Sequence, residues 1–284
     1  MSSFCNRAGL RIRIQLRGNT HLRGVAMWEE KEILITVKTY PHPQPQVKEV
    51  VCTAGIDRNG EWIRLFPIPF RYLDNYKKYK KYQWISVTTK RATDHRKESF
   101  TPRLDTLKII SDVADWDDKC KIVLSTIVYK SMDELQMARK QTGISLCTFK
   151  PSTIDDITCK KGDIDWNPKQ REIMRQQFLG EEIKKIEKIP YEFRYKFTCI
   201  DKDCKGHEVL ITDWELGALY LKVKANFSEE DTVRLIKQKF LGDLCSPKRD
   251  TYFYLGTTIR HPQNWIVLGV FSPPKQQQPT LFNA

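Results

Sequence analysis

Two alternating segments joined by a three-residue turn limit the folds open to this chain. Val47 to Ile56, with valines at 47, 50 and 51, reads as a strand. Arg58-Asn59-Gly60 supplies the turn, and Trp62-Ile63-Arg64-Leu65-Phe66 reads as the return strand, closed by Pro67 and Pro69. Strand side chains alternate between faces, so Trp62 and Phe66 share one side, where they are either core or a contact surface. Glu32 to Lys38 precedes this pair, and Trp84 to Lys90 and Leu107 to Ser111 follow it. Short strands with tight turns predict a small barrel or sandwich over residues 27–130. Tyr40-Pro41-His42-Pro43-Gln44-Pro45 is expected to be a stiff loop, because proline brings no N–H to a sheet interior.

Val51-Cys-Thr-Ala-Gly55-Ile, followed by Gly60-Glu-Trp-Ile-Arg64-Leu-Phe-Pro-Ile-Pro-Phe-Arg71, resembles the strand pair of an OB-type barrel, a fold found in proteins that handle nucleic acid. The resemblance implies an OB-type N-terminal unit; fold alone does not assign function.

Beyond residue 130 the punctuation is helical. Ser131-Met-Asp-Glu134 is a capping box for a helix ending near Gly143. Asn167-Pro168 opens a second helix, running to about Gly180. Residues 131–190 are therefore expected to be a helical connector. Residues 191–271 read as a mixed α and β unit, in which Asp213 and Ser228 cap helices and Tyr252 to Phe271 forms a hairpin. Residues 272–284 read as a flexible tail. Residues 1–26 read as a weakly structured basic extension, with Met27 as an alternative start and a transit peptide or an Arg11–Arg17 strand as other readings. The fold class expected is α+β: a β-barrel-like unit followed by a mixed unit, without internal repeat.

Lysine and arginine number 48 against 35 acidic residues, a net charge of +13, and without the five arginines of residues 1–26 the chain still carries +8. Nucleic acid is a dense polyanion, and cation–phosphate contacts release its counterions. DNA or RNA is the expected partner. No apolar run approaches the roughly 20 residues that span a bilayer, so no membrane role is expected. Eight scattered cysteines suit a reducing, cytoplasmic setting better than a disulfide framework.

Four groups of residues carry candidate chemistry. Tyr76-Lys77-Lys78-Tyr79-Lys80-Lys81-Tyr82-Gln83-Trp84, with Arg71, Arg91 and Arg96 nearby, interleaves phosphate-neutralising cations with rings that stack on bases. Its tyrosines recur every third residue, so they also fit the buried face of a helical turn. Cys199, Cys204 and His207 offer three zinc ligands around Gly206. Zinc takes four ligands, and Cys245 is the nearest fourth by sequence, which makes a structural zinc the expected cofactor. Glu208, Asp213 and Glu215 are the carboxylates that a metal-dependent nuclease would use, although Asp213 also suits a helix cap. Finally, Gln278-Pro-Thr-Leu281-Phe282 resembles the peptide that docks on bacterial sliding clamps: Gln278 would bind a pocket rim, and Leu281 and Phe282 an apolar pocket. The reading favoured by these features is a nucleic-acid-binding accessory protein of replication, repair or defence. A metal-dependent nuclease and a non-enzymatic protein adaptor are the alternatives.

Overall fold

The computed structural model describes residues 27–44, 47–94, 96–176 and 186–275. The N-terminal extension, the clamp-like peptide and residues 177–185, where the second helix was expected to end, lie outside the described residues.

The first unit contains β1 (Glu29–Lys38), β2 (His42–Gln44), β3 (Val47–Asp57), β4 (Trp62–Ile68), β5 (Trp84–Arg91), β6 (Ser99–Pro102) and β7 (Lys108–Ile109). Five of these strands close a barrel in the order β1-β3-β4-β6-β5 and back to β1. Only β4 and β6 run parallel. This is OB-type connectivity: three strands meander, the fourth returns to the first, and the fifth fills the gap between third and fourth. The β3–β4 turn forms as expected. Asp57 Oδ1 accepts from the backbone N of Asn59 and Glu61, both at 2.9 Å, and Gly60 takes φ +79°. Strand β4 continues past the expected stop at Pro67 to Ile68. His42–Gln44, expected as loop, pairs with β3 as a short strand off the barrel path, where a missing proline N–H is tolerated.

Alternation divides the β4 side chains. Ile63 and Leu65 point into the barrel with Ile33, Ile35, Val51 and Val87. Trp62, Arg64 and Phe66 therefore take the outer face. The strands are tightly drawn together at Gly55, where a Cβ would lie 2.2 Å from the Leu34 carbonyl oxygen.

Helix α1 (Trp116–Val123) leads into the second unit, which contains β8 (Val128–Tyr129), α2 (Met132–Thr142), β9 (Leu146–Phe149), β10 (Thr153–Lys161), α3 (Pro168–Gln176), β11 (Tyr191–Thr198), β12 (His207–Leu210), α4 (Trp214–Lys224), α5 (Glu229–Lys237), β13 (Tyr252–Thr257) and β14 (Trp265–Phe271). The expected caps form: Ser131 Oγ accepts from Glu134 N at 2.9 Å, Asp213 Oδ1 from Glu215 N at 2.6 Å, and Ser228 Oγ from Asp231 N at 3.1 Å. Gly143 ends α2 with φ +72°.

The expected helical connector is instead part of this unit. Strands β9 and β10 lie within it, pairing with β13 and β11. They escape a pattern reading because β9 has four residues and β10 mixes aspartates and lysines with apolar positions. Taken as one bent strand, β9 and β10 reproduce the first barrel's order. The path runs β10-β11-β12, a parallel bridge from Ile211 to Val267 joins this edge to β14, and β14-β13-β9 completes the circuit. The topology repeats although the sequence does not.

The two units share a core. Val37, Ala54 and Ile56 from the barrel pack with Leu146, Tyr254, Leu268 and Phe271 from the second unit. The Trp62 and Tyr254 rings meet edge-on at 5.6 Å. The outer face of β3–β4 is thus turned towards β13–β14.

Candidate nucleic-acid interface and metal-ligand cluster

The basic–aromatic run occupies the β4–β5 connection and does not form one exposed surface. Tyr79 is 1% exposed, and its hydroxyl lies 2.8 Å from Thr53 Oγ1 inside the barrel. Trp84 is buried beneath the Arg58 guanidinium, 3.6 Å from its ring centroid. Arg96 is buried against Asp94, which it meets through Nε at 3.2 Å and Nη2 at 2.7 Å. These three side chains serve the fold, because a buried ring or a paired guanidinium offers nothing to a strand gliding over the surface. Tyr82 is half-buried with φ +65°, which breaks any continuous helical turn. Lys80 and Arg91 are exposed, whereas Arg71, Lys77 and Lys78 are half-buried. Lys77 pairs with Asp74 at 3.8 Å, and Lys78 donates to Asn75 at 2.9 Å.

Lys81 turns inward to the junction of the two units. Its Nζ lies 3.7 Å from Asp213 Oδ2, 3.5 Å from Glu215 Oε2 and 3.2 Å from the Val270 carbonyl oxygen. Burial pushes the Asp213 carboxyl up to about 6, against the pull of Lys81. Burial opposes the charge on Lys81, but Tyr82, Asp213 and Glu215 together hold its pKa above the usual lysine value. Glu208 is not part of this group; it accepts from Thr158 Oγ1 at 2.7 Å. The three expected carboxylates therefore do not converge. Two neutralise a lysine, and one of those two caps α4.

The cysteine–histidine group does converge. The β11–β12 hairpin turns through Gly206 at φ +90°. His207 Nε2 then lies 3.1 Å from Cys199 Sγ and 3.3 Å from Cys204 Sγ. Among the described residues this is the only cluster of three or more such side chains placed to hold a metal ion together. Asp201 fastens the hairpin to the start of α2, its Oδ2 accepting from Met132 N at 3.0 Å, Asp133 N at 3.2 Å and Cys199 Sγ at 3.0 Å. Cys245, expected as the fourth ligand, is not in the cluster. Its thiol donates to the Phe240 carbonyl at 3.2 Å, inside the π-helical turn Gln238–Asp243 that follows α5. That turn departs from regular α-helix after Lys237 and aims Cys245 at the core.

A cleft of about 620 Å³ between the units is the feature that residue-by-residue reading missed. The barrel contributes Thr39 and His42 from the β1–β3 connection, Cys52, Arg64 and Phe66 from the β3–β4 face, and Arg96 from the β5–β6 connection. In an OB-type barrel the second and third strands and these two connections are the ligand surface. The second unit supplies the exposed Arg260, His261 and Asn264 from its β13–β14 connection, and Leu268 from β14. Among the described residues no carboxylate lines the cleft.

Arg64 is 3% exposed. Its Nη1 donates to Cys52 Sγ at 3.2 Å, and its Nη2 donates to the carbonyl and hydroxyl oxygens of Ser145 at 3.0 and 3.1 Å. Its buried Nε has no partner among the described residues. Glu98 accepts from the N of Ser145 and Leu146, at 2.6 and 3.2 Å, and from Ser145 Oγ at 3.2 Å, so it reaches the guanidinium only through that hydroxyl. Among the described residues its direct partners are formally neutral, with Glu98 behind Ser145. The sequence did hold a signal: an arginine between two aromatics on the outer face of a barrel strand.

Residues 128–284 match a family described as a domain of unknown function (DUF8757), and residues 29–125 match a second, DUF8758. The boundary falls between α1 and β8. No curated protein matches the chain.

Proposed function

The chain belongs to the family described as a domain of unknown function (DUF8757), and we propose from its own geometry and charge that it is a nucleic-acid-binding accessory protein. The observation that carries this reading is the coincidence of two independent features. The surface that an OB-type barrel offers to ligands is also the wall of a cleft to which Arg64, Arg260, His42 and His261 contribute, with no carboxylate among its described lining residues. OB-type barrels also take oligosaccharides, but a neutral sugar gains little from a basic lining, whereas phosphate does. The net charge of +13 adds long-range attraction for a polyanion.

Zinc is the ion proposed for Cys199, Cys204 and His207, since two thiolates and an imidazole are its preferred donors. Its role would be to pin the β11–β12 hairpin. The clamp-like peptide Gln278–Phe282 would deliver the protein to replicating or repaired DNA. Photo-crosslinking tests the assignment of the interface. A thymidine homopolymer carrying bromodeoxyuridine should label peptides containing Thr258–Asn264 and β3–β4. Labelling confined to residues 71–81 would move the interface back to the basic–aromatic run.

A further inference from the structure

The cleft has a narrower meaning than basic surface, and Arg64 supplies it. A buried cation needs a compensating charge or a full set of hydrogen bonds. Arg64 meets neutral groups directly, the Glu98 carboxylate lies one hydrogen bond further on through the Ser145 hydroxyl, and its Nε has no partner among the described residues. At 3% exposure it lies out of reach of phosphates on the outside of a duplex, whose backbone contacts are made by surface cations. A group that reaches Arg64 has to enter the cleft. The volume of about 620 Å³ falls within the range of small-ligand pockets, and the walls combine cations and threonine hydroxyls with apolar Phe66, Ile259 and Leu268. Phosphate and base each find a matching surface there.

We infer that the cleft seats one unpaired nucleoside phosphate, with its phosphate drawn towards Arg64 and Arg260 and its base against Phe66. This deepens the nucleic-acid reading and rests on it for the source of the nucleotide, which is a single strand rather than a duplex or a free mononucleotide. The Thr258–Asn264 connection, exposed and belonging to the second unit, forms the side through which the nucleotide enters.

The test uses the full chain and measures binding of a thymidine 12-mer, the same sequence as duplex, and free dTMP. Each is measured with wild type, Arg64→Lys and Arg260→Gln, and thermal melting establishes folding. Arg260 is exposed, so its substitution leaves the core intact. The expected result is tighter binding of the single strand than of the duplex, weakened about tenfold or more in both variants, as the loss of a charge-assisted contact implies. Strand binding that ignores both substitutions would overturn the nucleotide seat and leave the broader reading standing. Binding of dTMP alone, lost in the variants, would uphold the seat and overturn the strand as its source. Failure of all three ligands to bind would overturn the seat and the broader reading together.

Discussion

Lys81 and Asp213 meet across the junction of the two units, Nζ to Oδ2 at 3.7 Å, with Asp213 only 4% exposed. Lys81 comes from the first unit's β4–β5 connection, and Asp213 opens α4 in the second. The contact ties the docking of the units to a titration. Asp213 titrates at about 6 rather than the ordinary 3.8 because burial disfavours its anion. A carboxyl with a higher pKa in the folded than in the unfolded chain stabilises the fold fully below about 4 and loses that contribution as pH rises through about 6. Wild type should therefore lose stability relative to Asp213→Asn between pH 4 and 6, by an amount on the order of 1–2 kcal/mol. Chemical denaturation of both proteins at each pH measures the difference. A pH-independent difference would contradict the burial of Asp213.

Tyr79 is a structural residue despite its place in a basic–aromatic run. Tyr79→Phe removes the contact with Thr53 Oγ1 and should cost about 1 kcal/mol, whereas Tyr79→Ala should cost about 3–5 kcal/mol through the cavity it opens. Neither change should alter the affinity of the folded protein for a single strand. A large loss of affinity in Tyr79→Phe at unchanged stability would mean that the ring serves ligand after all.

The metal-ligand cluster predicts an asymmetry among cysteines. Purified protein should carry one zinc per chain, lost in Cys199→Ser and in His207→Ala together with thermal stability. Cys245→Ser should keep its zinc, because that thiol bonds to the Phe240 carbonyl instead. Elemental analysis of the three variants decides it, and loss of zinc in Cys245→Ser would restore Cys245 as a ligand.

The clamp-like peptide separates from the cleft by deletion. Removing residues 276–284 should abolish binding to a purified bacterial sliding clamp and leave strand affinity unchanged within about twofold, since the additivity of distant sites holds to a few tenths of a kcal/mol. Equal clamp binding by the full and shortened chains would reject the peptide's role.

The β3–β4 pair was legible because its signals are local: an Asn-Gly turn and side chains alternating over seven residues. The caps at Ser131, Asp213 and Ser228 were legible for the same reason, since each lies within three residues of the N–H that it satisfies. Cys199, Cys204 and His207 are close in sequence and meet in space. What remained hidden depends on long-range contacts. Strand β9 has four residues and is defined by its partner β13, about a hundred residues later. Tyr79 is a core residue because Thr53 faces it, and Arg64 is anchored by Ser145, 81 positions away. Cys245 was assigned by nearness in sequence, and the turn after α5 points it elsewhere. The repeated strand order was invisible because connectivity places few demands on residue identity.

The most direct test of nucleic-acid binding is the affinity of the full chain for a labelled single strand, measured by fluorescence anisotropy from low to moderate salt. The account predicts binding whose logarithm falls linearly with the logarithm of salt concentration, with a slope of about −2 to −3 for three or four neutralised phosphates. No binding at low salt, to single-stranded DNA or to RNA, would contradict it.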